Sequence, residues 1–338
     1  MLKRNKRKTL KQNNKSKNNE LYINNKKRLK MAITSNDFQS AIKQMEAEGL
    51  QMDTVLINQD GKQFCHVFPN GTQRKNIRSI SKSIQAICVG KAIEEGFFPL
   101  GVDEPVFKYI SNRVKDDNVN IDYLRELTIR HLLTLTLGHE VRSMNSDQMK
   151  ELQGKDLIDF VLNYPILHKP GTFFLYTNPP AYLMSYIFQT VTGKKVLDYA
   201  KEKIFPVLGI ENVTWKESEQ GYNMGCTGIE ISAQDLVKIG ELLLNKGEYN
   251  GKKIVNENWI TEMTKAQVLT PTMFDEKRVL PKYAYGYYTW VCENGNYYGD
   301  GTDGQYLLIV PKKNMVIVTM GFQSNMKPIT ECLRSIIL

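Results

Sequence analysis

The sequence predicts an α+β protein: an antiparallel sheet from N- and C-terminal strands, flanked by helices, with a mostly helical middle lobe. Two apolar runs near the start, residues 52–59 and 62–68, flank Asp60-Gly61, and Asp-Gly between such runs is typical of a β-hairpin. Apolar residues at helical spacing fill most of the stretch from about 101 to 263. Strand patterns return only afterwards, at residues 283–292, 304–311 and 314–322.

Helix start and stop signals delimit the helices around this sheet. Ser35 or Asn36 is suited to cap a first helix that continues to about Glu48. A second helix is predicted from about Ser79 to Glu95, because apolar residues follow at helical spacing and a glycine then ends the pattern. A last amphipathic helix is predicted to close the chain, starting about ten residues before its end.

These elements divide the chain into a tail, residues 1–30, and one domain, residues 31–338. Within the domain we expect a sheet lobe from residues 31–98 and 264–338, and a helical lobe at about 99–263. The length is sufficient for a large buried core.

The tail has a composition of its own. It holds twelve Lys or Arg and one acidic residue, a charge of +11, whereas the whole chain carries +9, so the remainder is nearly neutral at −2. With few apolar residues, the tail cannot bury enough surface to become ordered. We expect a disordered basic segment that is a candidate for contacting an anionic surface or nucleic acid. The alternative is that the native protein starts at Met31.

Cysteine and histidine usage argues against disulfides and metal. Five cysteines and four histidines are scattered, without a Cys-x-x-Cys, which favours reduced thiols in the cytoplasm over a disulfide framework or a zinc site. No run of 18 apolar residues occurs, and no apolar segment follows the basic N-terminus, so neither a membrane span nor a secretory signal is predicted. We expect no metal and no organic cofactor.

The first pair with chemical meaning is Ser79 and Lys82, spaced as Ser-x-x-Lys. On a helix this spacing places both side chains on one face, one turn apart. Free N–H groups at the helix N-terminus favour an alkoxide and an oxyanion, and burial of Lys82 would lower its pKa so that it accepts the serine proton. Two other Ser-x-x-Lys runs, 40–43 and 324–327, look like surface pairs. Ser79 is favoured because it follows the hairpin and opens a helix with an apolar face.

A candidate second motif begins at Tyr176 and ends at Asn178. A tyrosine hydroxyl beside a cationic lysine can act as a base in acylation and as an acid toward the leaving group. The asparagine amide can hold a substrate carbonyl and the lysine ammonium together. A competing triplet, Ser143-Met144-Asn145, would supply a serine instead, and a tyrosine at this place is also compatible with simple aromatic packing.

A third candidate is Gly299-Asp300-Gly301, just before a strand pattern. Glycines at a strand edge let a ligand approach the backbone. The N–H of Thr302 is then a candidate to form an oxyanion hole together with that of Ser79. The alternative is that the three residues only make the turn of a hairpin.

In this order the motifs resemble the Ser-x-x-Lys, Tyr-x-Asn and Lys-Thr-Gly elements of the serine β-lactamase and penicillin-binding-protein superfamily. The likeness covers about Ala32 to Leu338 and is carried by five longer segments: 78–96, 127–140, 169–210, 227–255 and 299–318. The tyrosine of the second motif points to the class C, esterase-like branch.

The resemblance implies a β-lactamase/transpeptidase-like fold and a role for each motif. Ser79 is implied to be the acylated nucleophile, and Lys82 and Tyr176 are implied to activate it. Asn178 is implied to take the second-motif role in binding substrate, and Gly301 stands at the glycine of the third motif.

The third motif departs from the superfamily, which has Lys and Thr for binding a carboxylate where this chain has Gly299 and Asp300. Like charges ~4 Å apart repel by roughly 1–4 kcal/mol, so Asp300 should disfavour anionic β-lactams unless another basic residue compensates. We expect a serine hydrolase that cleaves neutral or cationic esters or amides, with weak or no β-lactamase activity. The alternatives are a penicillin-binding-type peptidase acting on D-amino-acid peptides, and a non-catalytic ligand-binding protein on the same fold.

Overall fold

The computed structural model describes residues 32–69, 71–270 and 279–338. The basic tail, and the anionic-surface or nucleic-acid contacts predicted for it, lie outside the described residues. The α-helices are α1 (Ser35–Ala47), α2 (Ser81–Glu94), α3 (Phe107–Ile110), α4 (Ile121–Glu126), α5 (Ile129–Leu133), α6 (Gln148–Glu151), α7 (Leu157–Asn163), α8 (Pro179–Thr192), α9 (Val196–Lys203), α10 (Phe205–Leu208), α11 (Ala233–Leu244), α12 (Glu257–Met263), α13 (Lys327–Cys332) and α14 (Arg334–Ile337). Short 3-10 helices lie at Arg78–Ile80, Gly101–Asp103, Ser111–Arg113 and Pro311–Lys313.

The strands form one large sheet and two small ones. They are β1 (Met52–Gln59), β2 (Lys62–Val67), β3 (Lys75–Asn76), β4 (Thr214–Trp215), β5 (Ile229–Ile231), β6 (Glu248–Tyr249), β7 (Lys252–Lys253), β8 (Val268–Leu269), β9 (Ala284–Tyr285), β10 (Trp290–Val291), β11 (Tyr297–Gly301), β12 (Gln305–Val310) and β13 (Met315–Gly321). The large sheet is antiparallel, in the order β2-β1-β13-β12-β11-β10-β9-β8. The α+β prediction, with one sheet built from the early hairpin and the late strands, is confirmed.

The central pair of this sheet joins distant parts of the chain. In β1, Met52 lies opposite Gly321 and Gln59 lies opposite Met315, so the two strands pair along their whole length. Every residue of both strands is buried, and α11 packs on one face of this part of the sheet. A strand covered on both faces loses the alternation of polar and apolar residues, which explains the continuous apolar run in β13.

The predicted strand at 283–292 is wrong in one respect, because it is two short strands joined by a turn. Trp290 of β10 pairs with Tyr285 of β9, so the chain reverses direction between them. The reversal uses a hydrogen bond from the Gly286 N–H to the Thr289 carbonyl at 2.8 Å and a left-handed Tyr288, with φ at 52°. Gly286, an isolated glycine in the aromatic run, is the signal in the sequence that could have revealed this break.

The first helix starts one residue earlier than predicted. Thr34, rather than Ser35 or Asn36, caps α1: its side chain accepts from the Asp37 N–H at 3.2 Å, and the Asp37 carboxylate accepts from the Thr34 N–H at 2.9 Å. This reciprocal arrangement is a capping box, and it satisfies backbone donors at the helix start.

Helix α2 is the central helix of the molecule. The sequence predicted a helix with one apolar face. In the structure all residues from Ser81 to Gly90 are buried, so the helix is enclosed on every side. The Gln85 amide donates to the Ala181 carbonyl of α8 at 3.1 Å, and the Trp259 indole of α12 donates to the Ala86 carbonyl at 3.1 Å. Neighbouring helices on both sides therefore hold α2, and with it the Ser-x-x-Lys motif, in one position.

Candidate active site

Ser79 lies in the 3-10 turn Arg78–Ile80, which connects β3 to α2. The α-helix proper begins at Ser81 rather than at Ser79 as predicted. The reason is local: Arg78 has a left-handed backbone, with φ at 52°, and its N–H donates to the Asn76 side chain at 2.9 Å. Positive φ is uncommon for a residue with a side chain. Here it turns the chain sharply just before the serine.

Lys82 is fully buried and its ammonium group has three partners. Its Nζ atom donates to Ser79 Oγ at 3.0 Å, to Asn178 Oδ1 at 2.9 Å and to the Cys226 carbonyl at 3.0 Å. These contacts use all three donors of a lysine. Burial lowers the pKa of Lys82 to about 8, and the Cys226 thiol and the Asp300 carboxylate limit this decrease. A lysine of this kind is partly neutral at neutral pH and can accept a proton from the serine.

Tyr176 contacts the same serine from the other side of the site. The Ser79 hydroxyl lies near enough to that of Tyr176 to lower its pKa, and the Tyr176 ring centroid lies 5.2 Å from Lys82 Nζ. The ring is partly exposed, but burial around the hydroxyl, together with the charge of Asp300, raises the pKa of Tyr176 well above its usual range. The phenol is therefore neutral at physiological pH. It is suited to relay or donate a proton rather than to act as a phenolate.

The competing triplet does not reach the lysine with its side chains. The Ser143 N–H donates to Thr177 Oγ1 at 3.1 Å, and the Met144 carbonyl accepts from the Asn178 amide at 3.0 Å. The Asn145 side chain instead accepts two backbone N–H groups at the start of α6. The triplet therefore supports the Tyr176 segment through its backbone. Both residues at the ends of the two other Ser-x-x-Lys runs, 40–43 and 324–327, are exposed.

The third motif lies within β11 and not in a hairpin turn. Asp300 pairs with Tyr306 and Gly301 with Gln305 of β12, so the alternative of a simple Gly-Asp turn is wrong. The turn itself consists of residues 302–304 and leaves Thr302 exposed. A Cβ atom at Gly301 would come within 2.3 Å of the Ile77 carbonyl, so only glycine lets β11 lie this close to the turn that carries the serine.

An ion pair connects the two turns. The Arg78 guanidinium donates to Asp303 Oδ2 from Nε at 3.1 Å and from Nη2 at 2.9 Å. Asp303 lies in the β11–β12 turn beside Thr302, and Arg78 directly precedes Ser79. The contact therefore ties the backbone that carries the predicted second oxyanion donor to the nucleophile turn. Sequence reasoning did not find this pair, because neither residue belongs to a motif.

Asp300 is neutralised by a residue that the sequence did not reveal. Lys282 Nζ lies 2.9 Å from Asp300 Oδ2, and the Trp290 indole N–H donates to Asp300 Oδ1 at 2.7 Å. The sequence-based argument held unless another basic residue compensates Asp300, and in the structure Lys282 compensates it. The repulsion argument against anionic substrates therefore fails.

Aromatic rings form the wall between this ion pair and the nucleophile. Tyr176 stacks on Trp290, with ring centroids 5.0 Å apart, and Tyr285 meets both rings edge-on. The Lys282 ammonium lies 4.2 Å from the centroid of the Trp290 ring. Stacked rings with a cation above them are rigid and partly apolar, which suits the packing of an apolar part of a substrate.

Other kinds of site find little support in the described residues. Within 32–69, 71–270 and 279–338, no group of three or more His, Cys, Asp or Glu residues could hold a metal ion. The five cysteines are free thiols. In the same ranges no helix is sufficiently long and apolar to cross a membrane.

Comparison with known proteins agrees with this architecture. The family model described as Beta-lactamase matches residues 22–326, which is most of the chain. The chain belongs to the beta-lactamase family. Since this family groups enzymes that use a serine nucleophile, the protein is a serine hydrolase, and the superfamily resemblance found in the sequence is confirmed.

Among curated relatives, 6-aminohexanoate-dimer hydrolase from Paenarthrobacter ureafaciens is 25% identical over 266 residues, which are 73% of this chain and 66% of that protein. The chain thus spans about two thirds of the length of that relative.

Two solved structures show the same fold. The octameric penicillin-binding protein homologue from Pyrococcus abyssi superposes with a TM-score of 0.67 at 20% identity, covering 87% of this chain and 74% of the other. EstCE1, a hydrolase with promiscuous acyltransferase activity, gives a TM-score of 0.71 at 16% identity, covering 89% and 98%. The predicted β-lactamase/transpeptidase-like fold is thereby confirmed.

Proposed function

We propose that this protein hydrolyses carboxylic esters or amides through an acyl-enzyme on Ser79, with weak or no activity toward β-lactams. The observation that carries the proposal is the contact of one serine hydroxyl with two proton-handling groups. Lys82 Nζ lies 3.0 Å from Ser79 Oγ, and the same serine is near enough to the Tyr176 hydroxyl to lower its pKa. A nucleophile with its base within hydrogen-bond reach, and the base held by further partners, is typical of covalent catalysis.

In acylation, the neutral amine of Lys82 accepts the proton of Ser79 while Oγ forms a bond to the substrate carbonyl carbon. With a pKa of about 8, about a tenth of the lysine is neutral at pH 7. The backbone N–H groups of Ser79 and Thr302 are proposed to stabilise the oxyanion. The proton then passes from Lys82 through the Tyr176 hydroxyl to the leaving alcohol or amine.

Deacylation uses the same groups in reverse. Water adds to the acyl carbon, its proton passes to Tyr176 and Lys82, and Ser79 regains a proton when the ester bond breaks. Asn178, which holds Lys82 through its Oδ1 atom, keeps the lysine directed at the serine through both steps. No metal or organic cofactor takes part in this scheme.

The substrate class includes amides as well as esters. One relative is named for hydrolysis of the 6-aminohexanoate dimer, and one structural neighbour for hydrolysis with acyl transfer. The Lys282–Asp300 pair makes the third-motif position electrically neutral. Neutral substrates are therefore accepted there without the strong preference for a carboxylate that a Lys-Thr-Gly lysine would impose.

The proposal is tested by labelling with a fluorophosphonate probe. We expect one covalent adduct, located on Ser79 by peptide mass spectrometry, because among the described serines Ser79 alone is hydrogen-bonded to a buried lysine with a lowered pKa. The matched control is Ser40→Ala, which removes the exposed serine of another Ser-x-x-Lys run and should be labelled like the parent protein. Absence of an adduct on Ser79, or an undiminished adduct in Ser79→Ala, would refute the proposed function.

Lys282 allows a prediction of pH dependence. The charge of Asp300 raises the pKa of Lys82, and Lys282 opposes this effect by pairing with Asp300. Lys282→Gln should therefore move the acid limb of the kcat/KM profile to higher pH by about 0.5–1 unit, and lower the rate at pH 7 about three- to tenfold. Asp300→Asn should move the limb to lower pH.

The double variant Lys282→Gln/Asp300→Asn separates charge from structure. It removes both charges and should return the acid limb of the kcat/KM profile close to its position in the parent protein. Lys282→Arg keeps both charges and should not move the acid limb. A profile that moves to lower pH in Lys282→Gln, or that stays displaced in the double variant, would contradict the electrostatic link to Lys82.

A further inference from the structure

The loop that follows α5 is attached to the second motif at several points. At one end, the Gly138 carbonyl accepts the N–H groups of Leu167 and His168 at 3.0 and 3.1 Å. At the other end, the Ser143 N–H bonds to Thr177, and the Met144 carbonyl bonds to Asn178. Arg142 lies between these attachments, next to Ser143. Its backbone is therefore held beside the segment that carries Tyr176.

The charge of Arg142 acts on the site itself. It is one of the groups that influence the Tyr176 hydroxyl, where it opposes the rise of the pKa that burial and Asp300 produce. Its neighbour Ser143 is hydrogen-bonded to Thr177, the residue after Tyr176, so the backbone of Arg142 lies beside the segment that carries the phenol. Arg142 is nevertheless exposed to solvent, so a molecule entering the site can reach it.

Arg142 differs from the other cations of the site in lacking a protein partner. Lys282 pairs with Asp300, and Arg78 pairs with Asp303. Among the residues that the structure describes, Arg142 forms neither a hydrogen bond nor an ion pair. Its role is therefore not to brace the loop, because the loop is held by its backbone.

We propose that Arg142 binds a carboxylate of the substrate, so that the site favours esters or amides that carry a negative charge away from the scissile bond. The inference rests on the proposed function of Ser79 and names the substrate class of that site. A guanidinium offers paired donors in the geometry of a carboxylate, and its charge cannot be lost by deprotonation at any physiological pH. An arginine on a loop tethered to the second motif thus takes over anion recognition, which the third motif lacks at Gly299 and Asp300.

This proposal revises the expectation of neutral or cationic substrates. That expectation rested on Asp300 being uncompensated, and Lys282 removes its basis. Asp300 and Asp303 are both paired, whereas Arg142 offers a positive charge without a protein partner among the described residues. An anionic substrate is then attracted, whereas a cationic one is repelled.

The test compares two 4-nitrophenyl esters of similar length, 4-nitrophenyl hydrogen glutarate with a free carboxylate and 4-nitrophenyl valerate without one. We expect Arg142→Gln to lower kcat/KM for the glutarate about tenfold, mainly through KM, and to change the valerate value less than twofold. Arg142→Lys should retain part of the preference. Arg142→Glu should reverse the preference between an anionic and a cationic substrate, so that the 4-nitrophenyl ester of 5-aminovalerate is hydrolysed faster than that of glutarate.

The matched control is Arg125→Gln, at an exposed arginine of α4 that contacts only the Phe107 ring. It should leave both esters unaffected. Two results would overturn this inference: an unchanged ratio of the kcat/KM values for glutarate and valerate in Arg142→Gln, or turnover of the valerate alone by the parent protein. Either result leaves the proposed function of Ser79 standing. Turnover of neither ester would overturn the proposed function as well.

Discussion

Replacing Lys82 by alanine is expected to lower kcat/KM for 4-nitrophenyl acetate by about 10³–10⁴-fold, the range of a general base in its reaction. The lysine is the one group in contact with Ser79 whose pKa, about 8, allows it to accept the serine proton near neutral pH. Without it, Ser79 keeps its proton and attacks only as a weak alcohol. The loss should be measured by initial rates from pH 6 to 10. In the alanine variant, the kcat/KM profile should also lack the acid limb near pH 8 that reflects the pKa of Lys82.

Two controls separate proton transfer from packing. Lys91→Ala removes a lysine of the same helix α2 that pairs with Glu94 at the surface, and it should keep full activity. Lys82→Arg keeps a positive charge at the site but cannot become neutral, so it should be nearly as inactive as the alanine variant. Substantial activity in Lys82→Arg, with an intact fold by circular dichroism, would show that Lys82 acts only as a fixed charge.

Tyr176→Phe is expected to have an effect that depends on the leaving group. Because the pKa of Tyr176 is raised, its hydroxyl is a proton donor, and its loss leaves an alkoxide without a proton. For ethyl acetate we expect kcat to decrease about 10²–10³-fold. For 4-nitrophenyl acetate, whose leaving group departs as a stable anion, the decrease should be tenfold or less. The acyl group is the same in both esters, so their ratio isolates protonation of the leaving group.

The stacking of the ring on Trp290 survives in Tyr176→Phe, so the variant tests the hydroxyl alone. Tyr297→Phe is a suitable control, since it removes a buried hydroxyl that donates to the Leu243 carbonyl, remote from Ser79. It should cost stability but not alter the ratio of the two esters. Equal losses for both esters in Tyr176→Phe would assign the tyrosine to activation of Ser79 instead.

Much of the fold was predictable because its signals are local or periodic. The Asp60-Gly61 turn and the alternation around it predict β1 and β2, and the helical spacing after Ser79 predicts α2. The break between β9 and β10 was not predictable. It depends on a left-handed Tyr288 held by tertiary contacts, and a single glycine, Gly286, is a weak signal within an otherwise aromatic run.

The candidate site divides in the same way. Ser79, Lys82, Tyr176 and Asn178 stand in recognisable spacings, and the structure brings all four together. Lys282, however, stands in no motif, and its position beside Asp300 depends on how β9 and β11 are arranged in the sheet. A charge argued from sequence alone is therefore incomplete, since its partner can lie anywhere in the chain.

The pairing of β1 with β13 has a consequence for how the protein is made. Strand β1 must wait for its neighbour until β13 has been synthesised, because Gln59 pairs with Met315. Contacts so distant along the chain make folding slow and leave apolar strand edges exposed in the meantime. A nascent chain stalled before β13 holds Ser79, Lys82 and Tyr176 but cannot close the sheet, and we expect it to depend on chaperones and to be inactive.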